Sequence, residues 1–205
     1  VLTNNVAWRN AYITTTGGLK NAVSGAGILN GQNSALNRMV YYTVADGSGA
    51  VDLEVSVNHT DVGINKSGAG TLALLSATNS MSVGITINAG TLEIGATGRL
   101  QSGNYSQNIT NNGALIYSGT SAQTLSGIIS GTGEVTQNAA STLTLSGNNT
   151  YTGTTTITAG TLQISSTGLL GGGNYSSNIA NSGALIYSGT NDQTLSGVIS
   201  GSGAL

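Results

Sequence analysis

The sequence predicts an all-β fold, a right-handed parallel β-helix (β-solenoid), and three observations predict it. Strand- and turn-forming residues dominate a chain almost without charge. A long internal repeat runs through its C-terminal two-thirds. Within that repeat, short aliphatic alternations recur at intervals of about one coil.

Among the 205 residues, charged side chains are only 6% and hydrophobic ones 38%, with no Phe, Pro or Cys and 32 Gly. Ser, Thr, Asn and Gly fill the polar positions. That mixture opposes helices, since Gly costs about 1 kcal/mol per helical position relative to Ala and the small polar residues favour caps and turns. A core must be built from Leu, Ile, Val and Ala, because aromatics are 4%. Five basic residues and a net charge of −2 argue against nucleic acid as a partner. No apolar run approaches the roughly 18 residues that cross a bilayer, so direct membrane insertion of this segment is not expected. The opening Val1-Leu2-Thr3-Asn4-Asn5 lacks the basic and apolar regions of a signal peptide, and an export signal is expected to have been removed or to lie outside the chain.

The repeat keeps one constant offset: AGTLEI at 89–94 returns as AGTLQI at 159–164, and GALIYSGT at 113–120 returns at 183–190. An older copy, TLALLSATNSMSVGITINAG at 71–90, corresponds to TLTLSGNNTYTGTTTITAG at 142–160. A shorter period lies inside. Gly-x-Leu/Val begins at Gly90, Gly113, Gly133, Gly160, Gly183 and Gly203, with Gly63 in the equivalent earlier place. These intervals of 27, 23 and 20 predict three unequal coils per 70-residue repeat and about nine coils in all. Each coil is a unit that cannot bury its apolar face alone and must stack. Strands alternate within the coils, as in Thr142-Leu143-Thr144-Leu145, with both Leu on one face. Stacking is expected to align Leu92, Leu115, Val135, Leu162 and Leu185 in one inward ladder. Gly119, Gly127, Gly147, Asn148 and Asn149 are the expected corners, where turns demand φ > 0.

The segments KSGAGTLALLSATNS at 66–80 and STLTLSGNNTYTGTTTITAGTLQI at 141–164 resemble the autotransporter-associated β-strand repeat, which runs roughly GAGTLTLSGxNTYTGxTTINAGTLxIG. The resemblance covers residues 63–205. It implies a parallel β-helix, type V secretion, and display at or release from a Gram-negative-type outer membrane; it implies no single ligand. The family's C-terminal barrel is not among these residues, and Gly203-Ala204-Leu205 falls within a strand. The expectation is a piece of a longer chain, or a subunit whose last coil something else completes. Residues 1–62 fit the pattern less well. They hold Trp8, His59, Arg9, Lys20, Arg38, Tyr12, Tyr41 and Tyr42, and are expected to form irregular N-terminal coils or a cap.

Some β-helices are polysaccharide lyases and hydrolases, which need clustered carboxylates. The one candidate is Asp46, Asp52, Glu54 and Asp61 with His59; Asp52 and Glu54 would share the outer face of a strand whose other face is Leu53 and Val55. A solvated outer face is the favoured reading. Beyond residue 61 the carboxylates are Glu93, Glu134 and Asp192, and none recurs at its equivalent place in another copy of the repeat. No catalytic, cofactor or metal residue is assigned: one His, no Cys and no Asp-bearing nonapeptide are poor ligand sets. Asn58-His59-Thr60 and Asn65-Lys66-Ser67 fit the glycosylation sequon, as chance allows in such a composition. The Thr run 154–158 with Thr142 and Thr144 suggests an ice-binding array, but the following coils offer Gln163, Ser165 and Ile186, and the regularity fails. The leading expectation is therefore an extracellular structural or interaction shaft, whose uncapped ends stack on other copies. An adhesin binding surface glycans or matrix proteins is the alternative, and an enzyme the least favoured reading.

Overall fold

A computed structural model describes residues 6–7, 11–17, 21–24, 28–30 and 38–205. These form a parallel β-solenoid of about eight turns, with two short 3-10 turns, Gln101–Gly103 and Gly171–Gly173, as its helical elements. Every registered strand pair is parallel, so hydrogen bonds run from one coil to the next along the rod.

Each coil contributes in turn to three sides. Side one stacks Ala11–Thr14, Met39–Thr43, Gly63–Ser67, Ile85–Ile87, Ile109–Asn111 and Ile129–Ser130. Side two stacks Asn21–Val23, Leu53–Val55, Thr71–Leu74, Thr91–Ala96 and Ala114–Gly119, then passes through the first halves of Glu134–Leu145 and Thr155–Ser166 to Ile179–Asn181 and Ile199–Ser200. Side three begins with Val6–Ala7, Ile28–Asn30 and Asn58–Thr60. Higher up it includes Gln123–Leu125, the second halves of the two long strands, and Ala184–Gly189. Those two long strands bend round the corner between sides two and three, with a register irregularity at Asn138. The sheets cross residue 62 without a break, since Met39–Thr43 pairs with Gly63–Ser67 and Leu53–Val55 with Thr71–Leu74.

The core is a set of aliphatic columns. On side two Leu53, Leu72, Leu92, Leu115 and Val135 lie in register, and all are buried. Burying such a side chain is worth about 1.5–3 kcal/mol, and much of its cover comes from the coils above and below it. That is why no coil is stable alone.

The register changes the meaning of the sequence repeat. Val135 lies opposite Thr155 on side two, and Leu162 lies one side further on, above Leu143 and below Leu185. The five residues expected in one ladder therefore stand in two columns, Leu92–Leu115–Val135 and Leu162–Leu185. Successive members of the side-two column (72, 92, 115, 135, 155, 179, 199) are 20 to 24 apart, so one sequence repeat covers three turns and one side more. The interval of 27 between Gly133 and Gly160 is one coil plus one strand. Its physical origin is that the motif repeats in strand units, ten to a repeat, while a turn closes after three. The longer coils of the column are those that hold a 3-10 turn.

The expected corners also have a different cause. Gly119, Gly127, Gly147, Asn148 and Asn149 are not among the residues with positive φ. Gly127 and Gly147 are required by close approach instead: a Cβ at Gly147 would overlap the carbonyl oxygen of Gly127, and one at Gly127 would overlap that of Gln107. Gly119 ends the strand Ala114–Gly119, where a Cβ would meet the ring of Tyr117. Asn148 bridges to Leu169, and Asn149 points into the core.

Candidate functional site

The acidic and basic residues that the sequence groups together do not converge. His59 is fully buried on side three. Its Nε2 lies 2.6 Å from the Tyr42 hydroxyl, and its Nδ1 lies 3.2 Å from Asn79 Oδ1, which also accepts the His59 backbone N–H at 3.0 Å. Because Asn79 Oδ1 can only accept, Nδ1 carries the proton and Nε2 accepts from Tyr42. Burial pulls the imidazole pKa down to about 4, against a smaller upward effect of the Asn79 bond, and pushes the Tyr42 phenol up. A neutral ring sealed in the core is a brace between coils.

Asp52 is also buried, contrary to the solvated face expected for it. Its Oδ1 accepts the Gly47 N–H and its Oδ2 the Thr71 N–H, both at 2.8 Å, tying the turn at 46–49 to the next coil. Glu54 faces outward between buried Leu53 and Val55, and Asp46 and Asp61 are exposed. Among the described residues no group of three His, Cys, Asp or Glu is placed to hold a metal ion. Trp8, Arg9 and Lys20 lie outside the described residues.

Inward polar side chains secure the corners. Lys66, buried, donates from Nζ to the carbonyls of Ser67, Gly68 and Ala89 at 2.8–3.1 Å. Desolvation lowers its pKa to about 8, opposed by the charge of Asp52. Gln137 occupies the equivalent corner in the second copy and donates to Ala139 and Ser141, while its Oε1 has no partner. Asn149 donates to Gly147 and Leu169 and accepts from the Ile129 N–H. Thr155 interrupts the apolar column of side two; its hydroxyl lies 2.8 Å from those of both Tyr151 and Tyr175. Sequence reasoning placed none of these inside. The strand alternation around Lys66, between Asn65 and Ser67 and two residues after Ile64, was the signal available for it.

Outward surfaces carry the remaining chemistry. Thr144 is followed in register by Gln163 and Ile186, and Thr136 by Thr156 and Ala180. Asn58 accepts the hydroxyls of Ser76 and Thr78. On side one the rings of Tyr12 and Tyr41 stack with centroids 4.8 Å apart and planes 10° from parallel.

With this geometry established, comparison with known proteins shows that residues 64–94 and 135–164 match the family model of the passenger-associated-transport-repeat. They bring the fold of a passenger-type β-helix and imply a secreted or surface-exposed protein. No curated protein and no solved structure matches the chain.

Proposed function

We propose that this chain, which matches the passenger-associated-transport-repeat model in two stretches, is a non-catalytic extracellular shaft that holds binding surfaces away from the outer membrane of a Gram-negative-type cell. The observation that carries the reading is the continuous core. One column of buried side chains runs from Leu53 through Val135, and the same sheets continue to Ile199. The titratable groups fit a structural role, because His59, Asp52 and Lys66 each make at least one hydrogen bond to the next coil. Residues 1–62 belong, on this reading, to the same shaft as its first coils.

End-to-end contact between copies is the second reading, since strand edges that are not paired template pairing with another chain. The coil that runs from Leu185 to Leu205 borders a 330 Å³ apolar cavity lined by Leu170, Leu185, Tyr187, Leu195, Ile199 and Leu205. Tyr187 is 42% exposed there, whereas Tyr117, its equivalent one repeat earlier, is 1% exposed. A further coil, whether of the same polypeptide or of another copy, would bury this surface and pair its strand edges.

Electron microscopy of the purified chain at low and high concentration tests both parts. Rods about 40 Å long, from eight coils at about 4.8 Å each, are the expected unit. Unbranched fibres at high concentration establish end-to-end stacking, and isolated rods at every concentration refute it. Particles without rod shape refute the shaft.

A further inference from the structure

We propose that the outer surface of side one is a binding face for an uncharged glycan lying along the rod. This rests on the reading that the shaft is displayed outside the cell.

The strand register places Tyr12, Tyr41, Asn65, Thr86, Thr110 and Ser130 in a single outward column. Beside it runs a second column containing Thr14, Thr43 and Ser67, with Thr43 Oγ1 lying 3.1 Å from Ser67 Oγ. Asn88 adjoins this column and donates from Nδ2 to Asn65 Oδ1 at 2.8 Å. Every one of these side chains is a phenol, an amide or a hydroxyl. None is charged, although side two, one corner away, presents Glu54 and Glu93. The face is thus chemically distinct from its neighbour.

Four physical features select the partner. Tyr12 is 73% exposed and its ring lies against Tyr41, so two rigid amphipathic rings stand on a surface that is otherwise polar. The stacked pair offers a flat apolar platform with polar hydroxyl tips, of the kind that packs against the face of a sugar ring. Amides and hydroxyls each combine donor with acceptor capacity, which suits a chain of sugar hydroxyls that must do both. The lack of charge disfavours sulfated or uronic chains, which would need cations. Coil spacing of about 4.8 Å repeats the same groups along the axis, so an extended chain meets one row of partners per coil. A protein partner would call for a larger apolar centre than two rings provide. An ice lattice would call for one unbroken Thr array, and here Tyr and Asn interrupt it.

The test uses the full chain on an array of immobilised neutral hexasaccharides of glucose, mannose, xylose and N-acetylglucosamine, with heparin and chondroitin sulfate as anionic counterparts. Binding to at least one neutral hexasaccharide is expected, weakened at least tenfold in the Tyr12→Ala/Tyr41→Ala double variant. It should stay within twofold in Glu93→Gln on side two. Circular dichroism melts of both variants show that folding is kept, since all three side chains point outward. The proposal is overturned by failure to bind any neutral hexasaccharide, by binding confined to the anionic chains, or by indifference to loss of both tyrosines. Inhibition of ice growth without sugar binding would likewise overturn it. Each of these outcomes leaves the rod seen by microscopy intact, so the shaft and its glycan face stand or fall separately.

Discussion

His59 Nε2 accepts a hydrogen bond from the Tyr42 hydroxyl at 2.6 Å, joining sides one and three through the middle of the core. Both residues are fully buried, so the contact couples stability to pH rather than serving a reaction in solvent.

That coupling has a definite sign. The imidazole pKa falls from 6.5 in a free side chain to about 4 in the folded chain. Between those values the unfolded chain binds a proton that the folded chain refuses, so stability is present above pH 6.5 and is lost as the pH drops towards 4. The span corresponds to roughly 3 kcal/mol. Urea denaturation at pH 7, 5.5 and 4.5 should show this decline. His59→Gln should remove most of the pH dependence in that window while lowering stability at pH 7, and an undiminished decline in the variant would contradict the assignment.

Lys66 and Gln137 do the same work at equivalent corners, unequally. Lys66 aims three donors at three carbonyls, whereas Gln137 uses two and leaves Oε1 orphaned. Lys66→Met should destabilise the chain by about 1–3 kcal/mol, the cost of unpaired buried acceptors. Lys66→Gln should lose less, because Gln137 shows that an amide fits. Urea midpoints with unchanged slopes measure both, and equal losses in the two variants would contradict this account.

Glycines of two kinds can be told apart. At Gly147 φ lies outside the left-handed region and the obstacle is the Gly127 carbonyl; at Gly172 φ is +64° and nothing lies within 4 Å of a built Cβ. Gly147→Ala should cost about 1–3 kcal/mol through overpacking between coils. Gly172→Ala should cost about 1 kcal/mol, for left-handed backbone alone. A thermal melt that ranks Gly172→Ala as the more damaging would refute the close-approach explanation.

The advance of each repeat by three turns and one side is open to cross-linking, on a chain with no cysteine of its own. Thr136 and Thr156 are neighbours in register on adjacent coils. Cysteines at this pair should form a disulfide on mild oxidation, since about 4.8 Å between strands is within disulfide reach. Cysteines at Thr136 and Gln163 should not, because Gln163 pairs with Thr144 on the next side. Under a repeat of three whole coils that second pair would be the one to close.

Much of this architecture was legible in the residues. Alternation such as Thr142-Leu143-Thr144-Leu145 marks a strand with one buried face, and its recurrence marks stacked coils. The side-one glycan candidate was legible only in fragments: Tyr12, Tyr41 and Asn65 are far apart in the chain, and nothing local says that they share a column. The burial of Asp52 was hidden for a related reason. It precedes the strand Leu53–Val55, and its partners Gly47 and Thr71 lie in a turn and in the next coil.

Taken alone, the order of residues dictates that the chain is β throughout, that its strands are short with an alternating inward face, and that its units must stack to bury Leu, Ile and Val. These properties are local, set by side-chain size, backbone propensity and the cost of leaving aliphatic surface in water. Which residue lies above which is a property of the folded coils. The closure of each turn is set by the hydrogen-bond register between coils, and that register put Leu162 on Leu143 and Val135 on Thr155. The same register sent Lys66 and His59 inward and drew Tyr12 and Tyr41 into one outward stack.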